Sequence, residues 1–399
     1  MRDDHEGGGF WRDYPKPLRR LDGPGRERLT LAARLEACLA SHAVEMAHAD
    51  QRRALAVMRR GALERALRLN ALLPACPPVE EAVRLEQLEA DLTAALRNVP
   101  GTGAIRPALD FALLEEADQL YRFSNLLDAE QDAPAERVTG GRVEITPGRP
   151  CVAAHRHPLD AAFRPLDFDA ASQAARLSVA LIATLERDMA ALYARRAGEA
   201  TDRDARMLFA EMALIEEQHA SQYESLWDAR RTALENLTLR AAALCYAYYS
   251  LQAAETNPAL REIFQNGLAA AREDHAALCG LANVPPVGEF PPPFLFGDTS
   301  ALVRALMPRQ VTLTMLEDSL VPSDLLPASC RYFEWQRALN GDGADAPSHR
   351  VIERYAARYG TDYRFERTPN PIEALQNRRA DNNTLGRGGI RNAQFAMRN

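Results

Sequence analysis

Three side chains between residues 177 and 219 have the types and the spacing of a metal site. Glu216 and His219 lie three residues apart, so on a helix they leave the same face and can reach one ion. Glu186 precedes a polar break at 198–204 by a comparable distance, which would place its carboxylate opposite that pair in a helical hairpin. A carboxylate together with Glu-x-x-His is one half of the ligand set of di-iron and di-manganese sites in helical bundles.

A second copy of this hairpin follows along the chain. Residues 255–264 repeat the pattern of residues 200–209, and Tyr248 repeats Tyr193, each at an offset of 55 residues. The repeat predicts a further helical hairpin over about 231–281. This second hairpin is expected to supply the other half of the ligand set.

The second copy has lost most of the ligands. His275 corresponds to the histidine of the first copy, with one extra residue before it, while Ala241 and Arg272 stand at the positions of its two acids. The guanidinium of Arg272 could form a two-pronged pair with either acid and so take the place of a metal cation. Alternatively, a π-bulge at the extra residue would turn Glu273 inward and restore a carboxylate.

These motifs resemble the ferritin-like superfamily, and within it the rubrerythrin-type bundle. The resemblance covers about residues 175–282 and is carried by Glu186, by IEEQHASQYESL at 215–226 and by REDHAAL at 272–278. It implies a four-helix bundle with oxygen, peroxide or iron redox chemistry at a pair of metal ions. It therefore implies an iron-dependent or manganese-dependent oxidoreductase.

Carried over position by position, the resemblance implies four metal ligands, which are Glu186, Glu216, His219 and His275. The first three are expected to bind one metal, and His275 is the remaining ligand of the other, so the site is mononuclear or an incomplete dinuclear one. Iron is the expected metal, with manganese or zinc as alternatives. The superfamily also has metal-free members, so a protein without any cofactor is the competing expectation.

The composition favours an almost entirely α-helical protein. The 399 residues carry a net charge of −7, and the arginines are interspersed with acids, so no nucleic-acid partner is expected. The six cysteines have no CxxC spacing, which is typical of reduced thiols in a cytosolic protein. The longest uncharged helical run, residues 241–254, is too short to span a membrane. We therefore expect a soluble, cytoplasmic protein with no membrane partner.

Six segments are predicted along the chain. They are an N-terminal arm (1–25), an N-terminal helical domain (26–130), a linker with an HRH loop (131–174), the ferritin-like bundle (175–283), a C-terminal helical extension (284–368) and a flexible tail (369–399). The tail has few apolar residues, so it is either disordered or wraps a partner subunit. A homo-oligomer is expected.

Two further groups of histidines share a face of the chain: His42, Glu45 and His48 on one predicted helix, and His155 with His157 in an extended loop. Glu115 and Glu116, on a later helix, could oppose the first group. Metal binding is one interpretation of each group. The favoured interpretation is that these histidines pair with acids, on a bundle face for the first group and in a linker for the second.

Two functions from different classes remain open. The ligand triad favours a metalloprotein with oxidase, peroxidase or iron-handling activity. The missing acids of the second copy favour a metal-free scaffold or assembly protein, in which Arg272 replaces the second metal. The sequence identifies neither a substrate nor a redox partner.

Overall fold

The computed structural model describes residues 15–18, 21–43, 51–131, 134–146, 164–297, 299–307, 331 and 347–360. Within these residues all regular structure is helical, and no strand is present. The prediction of an all-α protein is confirmed for this part of the chain. No helix in it is long and apolar enough to cross a membrane.

The described helices, in chain order, are α1 (Gly23–His42), α2 (Arg52–Leu72), α3 (Pro78–Arg97), α4 (Arg106–Gln131), α5 (Glu136–Thr139), α6 (Gln173–Glu199), α7 (Arg203–Glu224), α8 (Ala233–Ala254), α9 (Pro258–Ala282), α10 (Thr299–Leu306) and α11 (Pro347–Tyr359). A short 3₁₀ turn, Gly103–Ile105, precedes α4. Several helices begin where the local sequence dictates. The side chains of Ser172 and Asp202 accept hydrogen bonds from the first free amides of α6 and α7. Thr232 and Glu235 form a capping box at the start of α8.

The helices form two compact units that interleave along the chain. Unit 1 consists of residues 1–76 and 231–293, and unit 2 of residues 77–230 and 294–399. The sequence predicts one bundle over 175–283, but the hairpins α6–α7 and α8–α9 belong to different units. Each of them packs with a hairpin from the first half of the chain instead.

Unit 2 contains the hairpins α3–α4 and α6–α7, with α3 in contact with α6 and α4 with α7. The helix α4 is the most enclosed, because all its residues from Ala108 to Ala129 are buried. The helix α10 packs against α3 and α4, and α11 packs against α4 and α7. A buried helix of this kind is normally apolar all round. The acids on α4 therefore need partners inside the unit.

Unit 1 contains the hairpins α1–α2 and α8–α9, with α1 in contact with α8 and α2 with α9. The helix α8 is the more apolar of the second pair, and Tyr248 on it is buried against α9 at Gly267. A Cβ atom at Gly267 would lie 2.4 Å from the Tyr248 ring, so this position excludes any side chain. The glycine allows the tyrosine to lie flat inside the unit.

Several predicted features lie outside the described residues. These are Glu45, His48, His155, His157, the first part of the N-terminal arm (1–14) and the tail (369–399). Of the expected stripe only His42, the last residue of α1, lies within the described residues. The ring nitrogen Nδ1 of His42 lies 2.7 Å from the carbonyl oxygen of Cys38, one turn back on the same helix.

Candidate metal centre

Five carboxylates and one imidazole meet in the interior of unit 2. We name them the carboxylate cluster: Glu86 and Glu89 from α3, Glu116 from α4, Glu186 from α6, and Glu216 with His219 from α7. Each of the four long helices contributes, and spacings of three residues on α3 and α7 put both of their side chains on one face. All six residues are at most 2% exposed.

The cluster consists of two overlapping groups of possible ligands. In the first, one atom each from Glu116, Glu186, Glu216 and His219 lie within 4.8 Å of one another. The second group combines Glu86 and Glu89 with the same Glu116 and Glu216, within the same distance. Because two carboxylates belong to both groups, the arrangement suits two neighbouring cations that share a pair of ligands.

The ring of His219 is oriented like that of a metal ligand. Its Nδ1 atom lies 3.2 Å from Glu116, 3.3 Å from Glu216 and 3.5 Å from Glu186. Its other nitrogen, Nε2, is hydrogen-bonded to the carboxylate of Glu115. Histidines that bind metals usually donate their second N–H to such a carboxylate, which fixes the ring and its tautomer. The position of Glu115 therefore directs Nδ1 toward the three acids.

Most oxygens of the cluster have no hydrogen-bond donor among the described residues. This applies to both carboxylate oxygens of Glu89, Glu116 and Glu216, and to one oxygen each of Glu86 and Glu186. No lysine or arginine in the described part of the chain forms an ion pair with these five acids. Buried charges are normally paired or bound to metals, because leaving them alone costs several kcal/mol. A cation that binds among these oxygens would remove that cost.

The electrostatics show how the cluster holds its charge without a metal. Burial, and after it the neighbouring carboxylates, raises the pKa of Glu216 to about 8 and the pKa of Glu116 to about 7. The pKa values of Glu86 and Glu89 are also raised, mainly by burial. Burial alone would lower the pKa of His219, but the hydrogen bond to Glu115 and the acids close to Nδ1 raise it well above its ordinary value. Protons therefore take the place of cations in the metal-free cluster.

Aromatic side chains close one side of the cluster. The hydroxyl of Tyr193 donates a hydrogen bond to Glu86, and its ring packs against Phe123 and Phe209 with centroid distances of 5.2 and 5.7 Å. The hydroxyl of Tyr223 is buried without a hydrogen-bond partner among the described residues. Its pKa is raised, first by burial and then by the charge of Glu186. These walls separate the acids from bulk water.

The structure brings together three of the four ligands expected from the sequence. Glu186, Glu216 and His219 belong to one group, whereas His275 lies in unit 1 and belongs to neither group. The Nε2 atom of His275 lies 3.4 Å from Cys279 Sγ, and burial lowers the pKa of its ring. The expected role of His275 is wrong because α6–α7 does not pair with the hairpin that contains it.

The roles expected for Arg272 and Glu273 are also wrong. Both residues are exposed on α9, which runs as a regular α-helix without a π-bulge. The guanidinium of Arg272 lies over the ring of Phe290, 5.8 Å from its centroid. Arg272 therefore pairs with neither acid of the cluster, and the scaffold hypothesis stays a prediction.

The candidate ligands from the first half of the chain, Glu86, Glu89 and Glu116, are not among those predicted from the sequence. The signal for Glu86 and Glu89 is their spacing of three, which is weaker than Glu-x-x-His because it contains no histidine. Glu115 and Glu116 are named from the sequence only as acids that could oppose the stripe of His42, Glu45 and His48. The error concerned which helices face each other, which a local spacing does not determine.

No protein-family model matches the chain, and neither a curated protein nor a solved structure does. The family resemblance of the motifs therefore stays a prediction. What the cluster can do follows from its own residues and their geometry. Those residues offer a buried, oxygen-rich site for cations.

Proposed function

We propose that this protein is a ferritin-like metal-binding protein, with α3, α4, α6 and α7 as the four-helix bundle and two metal ions at its centre. The observation that carries the proposal is the pair of overlapping ligand groups that share Glu116 and Glu216. Four helices that each direct carboxylates inward, with one Glu-x-x-His, are typical of di-iron and di-manganese bundles. The site differs from the usual set in having Glu86-x-x-Glu89 where a second histidine is common.

The donor atoms favour iron or manganese. Carboxylate oxygens dominate the site, with a single imidazole, and hard oxygen donors suit Mn²⁺ and Fe²⁺. Structural zinc sites are usually tetrahedral and richer in sulfur or nitrogen than this one. Five buried acids also provide the negative charge that two neighbouring divalent cations need. The unpartnered carboxylate oxygens support this assignment, because they can bind such ions.

Each residue of the cluster has a distinct role in this proposal. Glu116 and Glu216 would bridge the two ions, since they belong to both groups. Glu186 and His219 would complete the binding of one ion, and Glu86 with Glu89 would complete that of the other. Glu115 holds the imidazole in the orientation described above, and Tyr193 holds Glu86 by its hydrogen bond.

We propose oxidoreductase activity at this site, with dioxygen, peroxide or ferrous iron as the reactant. Bound iron or manganese would supply the electrons that reduce dioxygen or peroxide, and ferrous iron as a reactant would be oxidised by one of these two. The chain itself binds the ions, keeps bulk water from them through its aromatic walls, and stores protons on acids with raised pKa values. These are the conditions under which a redox-active metal pair can react with a small oxidant.

Metal content tests the binding proposal. Protein freed of metal with a chelator and then loaded anaerobically with Fe²⁺ or Mn²⁺ should retain about two ions per chain, as expected for a shared-ligand site. The variant Glu216→Gln keeps the size of a bridging side chain but removes its charge, and should lose both ions. The matched control is Glu217→Gln, because Glu217 is the next residue on α7 and is exposed.

Two results would contradict the binding proposal. One is wild-type protein that retains neither iron nor manganese after loading and desalting. The other is an equal loss of metal in the variants at 216 and 217. Activity is measured separately by mixing Fe²⁺-loaded protein with oxygen or hydrogen peroxide and following Fe³⁺ absorbance. Oxidation no faster than that of the Glu216→Gln variant with the same total iron would contradict the oxidoreductase proposal.

A further inference from the structure

Unit 1 repeats the hydrogen-bonded frame of unit 2. In unit 1 the hydroxyl of Tyr248 donates to the buried carboxylate of Glu36 at 2.9 Å, as Tyr193 donates to Glu86 in unit 2. The two tyrosines are 55 residues apart in the sequence, and the two glutamates are 50 apart. The same bond therefore joins the first helix of one hairpin to the first helix of the other in both units.

A second pair of contacts follows the same offsets. Glu115 and His219 interact in unit 2, and residues 50 and 55 positions away from them are Arg65 and Asp274. Arg65 and Asp274 form an ion pair in unit 1, with Nη2 and Oδ2 2.5 Å apart. The counterpart of His219 is thus Asp274, not His275, because α9 contains no inserted residue. Two independent side-chain contacts agree on one superposition of the units.

This superposition shows where the acids of the cluster have been lost. The remaining four acids of unit 2, Glu89, Glu116, Glu186 and Glu216, correspond in unit 1 to Leu39, Ala66, Ala241 and Ala271. All four replacements are buried, at 0–2% exposure. Every one is apolar, so the centre of unit 1 lacks the two bridging carboxylates and the acids beside them. Among the residues of unit 1 that correspond to the cluster, only Glu36 and Asp274 can carry a negative charge.

A permanent cation balances these two acids. Arg65 Nε lies 2.7 Å from Glu36 Oε1, and the same guanidinium reaches Asp274 through Nη2. The side chain of Glu36 is completely buried, while that of Arg65 is 22% exposed. A planar guanidinium that bonds two carboxylates at once offers a fixed geometry that neither a lysine nor a proton can reproduce.

We propose that unit 1 is a copy of the metal-binding unit in which the guanidinium of Arg65 takes the place of the metal ions. It joins acids from α1 and α9, as a metal would join helices in unit 2. The chain then binds one pair of ions rather than two, and unit 1 is stable without metal. The count of ions depends on the proposed function of unit 2, whereas the role of Arg65 does not.

Stability measurements on metal-free, full-length protein test the role of Arg65. The variant Arg65→Leu leaves Glu36 and Asp274 without their cation, and should lower the melting temperature by about 5–10 °C. The triple variant Arg65→Leu, Glu36→Gln, Asp274→Asn removes the two charges as well and should recover most of that loss. The control Arg68→Leu changes an exposed arginine one turn further along α2, and should leave the melting temperature within about 2 °C of wild type.

The outcomes separate this proposal from the one on unit 2. A triple variant that is no more stable than Arg65→Leu alone would overturn the counter-ion role. So would an Arg65→Leu variant as stable as the control. If Arg65→Leu does not fold, the comparison of wild type with the triple variant decides, since a similar melting temperature supports the proposal and a large loss overturns it.

The triple variant should also retain the wild-type number of Mn²⁺ ions, and a reduced number would place metal in unit 1. Wild-type protein without any metal would contradict only the function of unit 2.

Discussion

The two units solve the problem of buried acids in opposite ways. Unit 2 keeps five carboxylates together, with no arginine or lysine paired to them among the described residues, so it depends on protons or metal ions. Unit 1 keeps two acids and gives them a covalently attached cation, Arg65. Both retain a tyrosine that donates to a glutamate. The frame is therefore compatible with either solution, and the identity of four inward-facing positions decides between them.

This difference predicts which of the two units metal ions stabilise. A ligand stabilises only the state that binds it, so metal ions should stabilise unit 2 and leave unit 1 unchanged. Unit 1 is instead expected to have the same stability whether or not these metal ions are present. The presence of both in one chain makes each unit an internal control for the other.

The largest expected effect comes from exchanging one inward-facing residue. Ala66 in unit 1 corresponds to Glu116 in unit 2, and is 2% exposed. The variant Ala66→Glu should lower the free energy of unfolding by about 3–5 kcal/mol, because the new carboxylate is buried while Arg65 is already bonded twice. The variant Ala66→Gln has the same bulk without the charge and should lose only the part that comes from overpacking. Urea denaturation with a chelator present measures both.

The corresponding change in unit 2 should have the opposite sign. Glu116→Gln removes a buried acid whose oxygens have no hydrogen-bond donor, so metal-free protein should become slightly more stable. The same variant should weaken metal binding, because a bridging charge is lost. An Ala66→Glu variant as stable as Ala66→Gln would show that the centre of unit 1 tolerates charge, which would remove the contrast between the units.

The dependence of stability on pH gives a second and smaller difference. The pKa values of Glu116 and Glu216 are raised to about 7 and about 8, so in folded, metal-free protein they stay protonated above pH 5. In unfolded protein they lose their protons near pH 4.5. The folded state then binds more protons, and stability falls as the pH rises from about 5 to about 8. Carboxylates with lowered pKa values would give the reverse slope.

Metal ions should remove this slope. They bind only deprotonated carboxylates, so their affinity rises over the same pH range and compensates the loss of proton binding. Denaturation at pH 5, 6, 7 and 8, with chelator or with Mn²⁺, measures the two cases. A metal-free protein whose stability rises steadily from pH 5 to pH 8 would contradict the raised pKa values. The double variant Glu116→Gln, Glu216→Gln is the control, and its slope should be shallower.

Local sequence signals were sufficient for the helices and for half of the site. The composition predicts the all-α class, and the spacing of Glu216 and His219 places both on one face of α7. Local sequence signals do not determine which hairpins pack against each other. Nothing local distinguishes a partner hairpin in the first half of the chain from the one directly after. The repeat along the chain was read as contact within one bundle, whereas the copies lie in separate units.

The replacement of a metal by arginine illustrates the same limit. The sequence does suggest that a guanidinium substitutes for a metal cation. It points to Arg272, because an alignment of the two copies with one inserted residue places Arg272 at the position of Glu216. The regular helix α9 removes that insertion and turns Arg272 to the surface. The arginine that forms the pairs, Arg65, lies on a helix that has no counterpart in the repeat 177–281. Only the packing of α2 against α9 reveals it.

The smallest predicted effect concerns the feature that the units share. Tyr193→Phe and Tyr248→Phe each remove one hydrogen bond to a buried glutamate, which should cost about 1–3 kcal/mol because the carboxylate loses one of its donors. If the tyrosines are structural in both units, the two variants should lose similar amounts in metal-free protein. Metal should then restore the stability of Tyr193→Phe more than that of Tyr248→Phe, since an ion can bind the oxygen of Glu86 that no longer accepts a hydrogen bond from the tyrosine. Equal behaviour of the two variants with Mn²⁺ would mean that the metal does not reach Glu86, and would restrict the site to the group that contains His219.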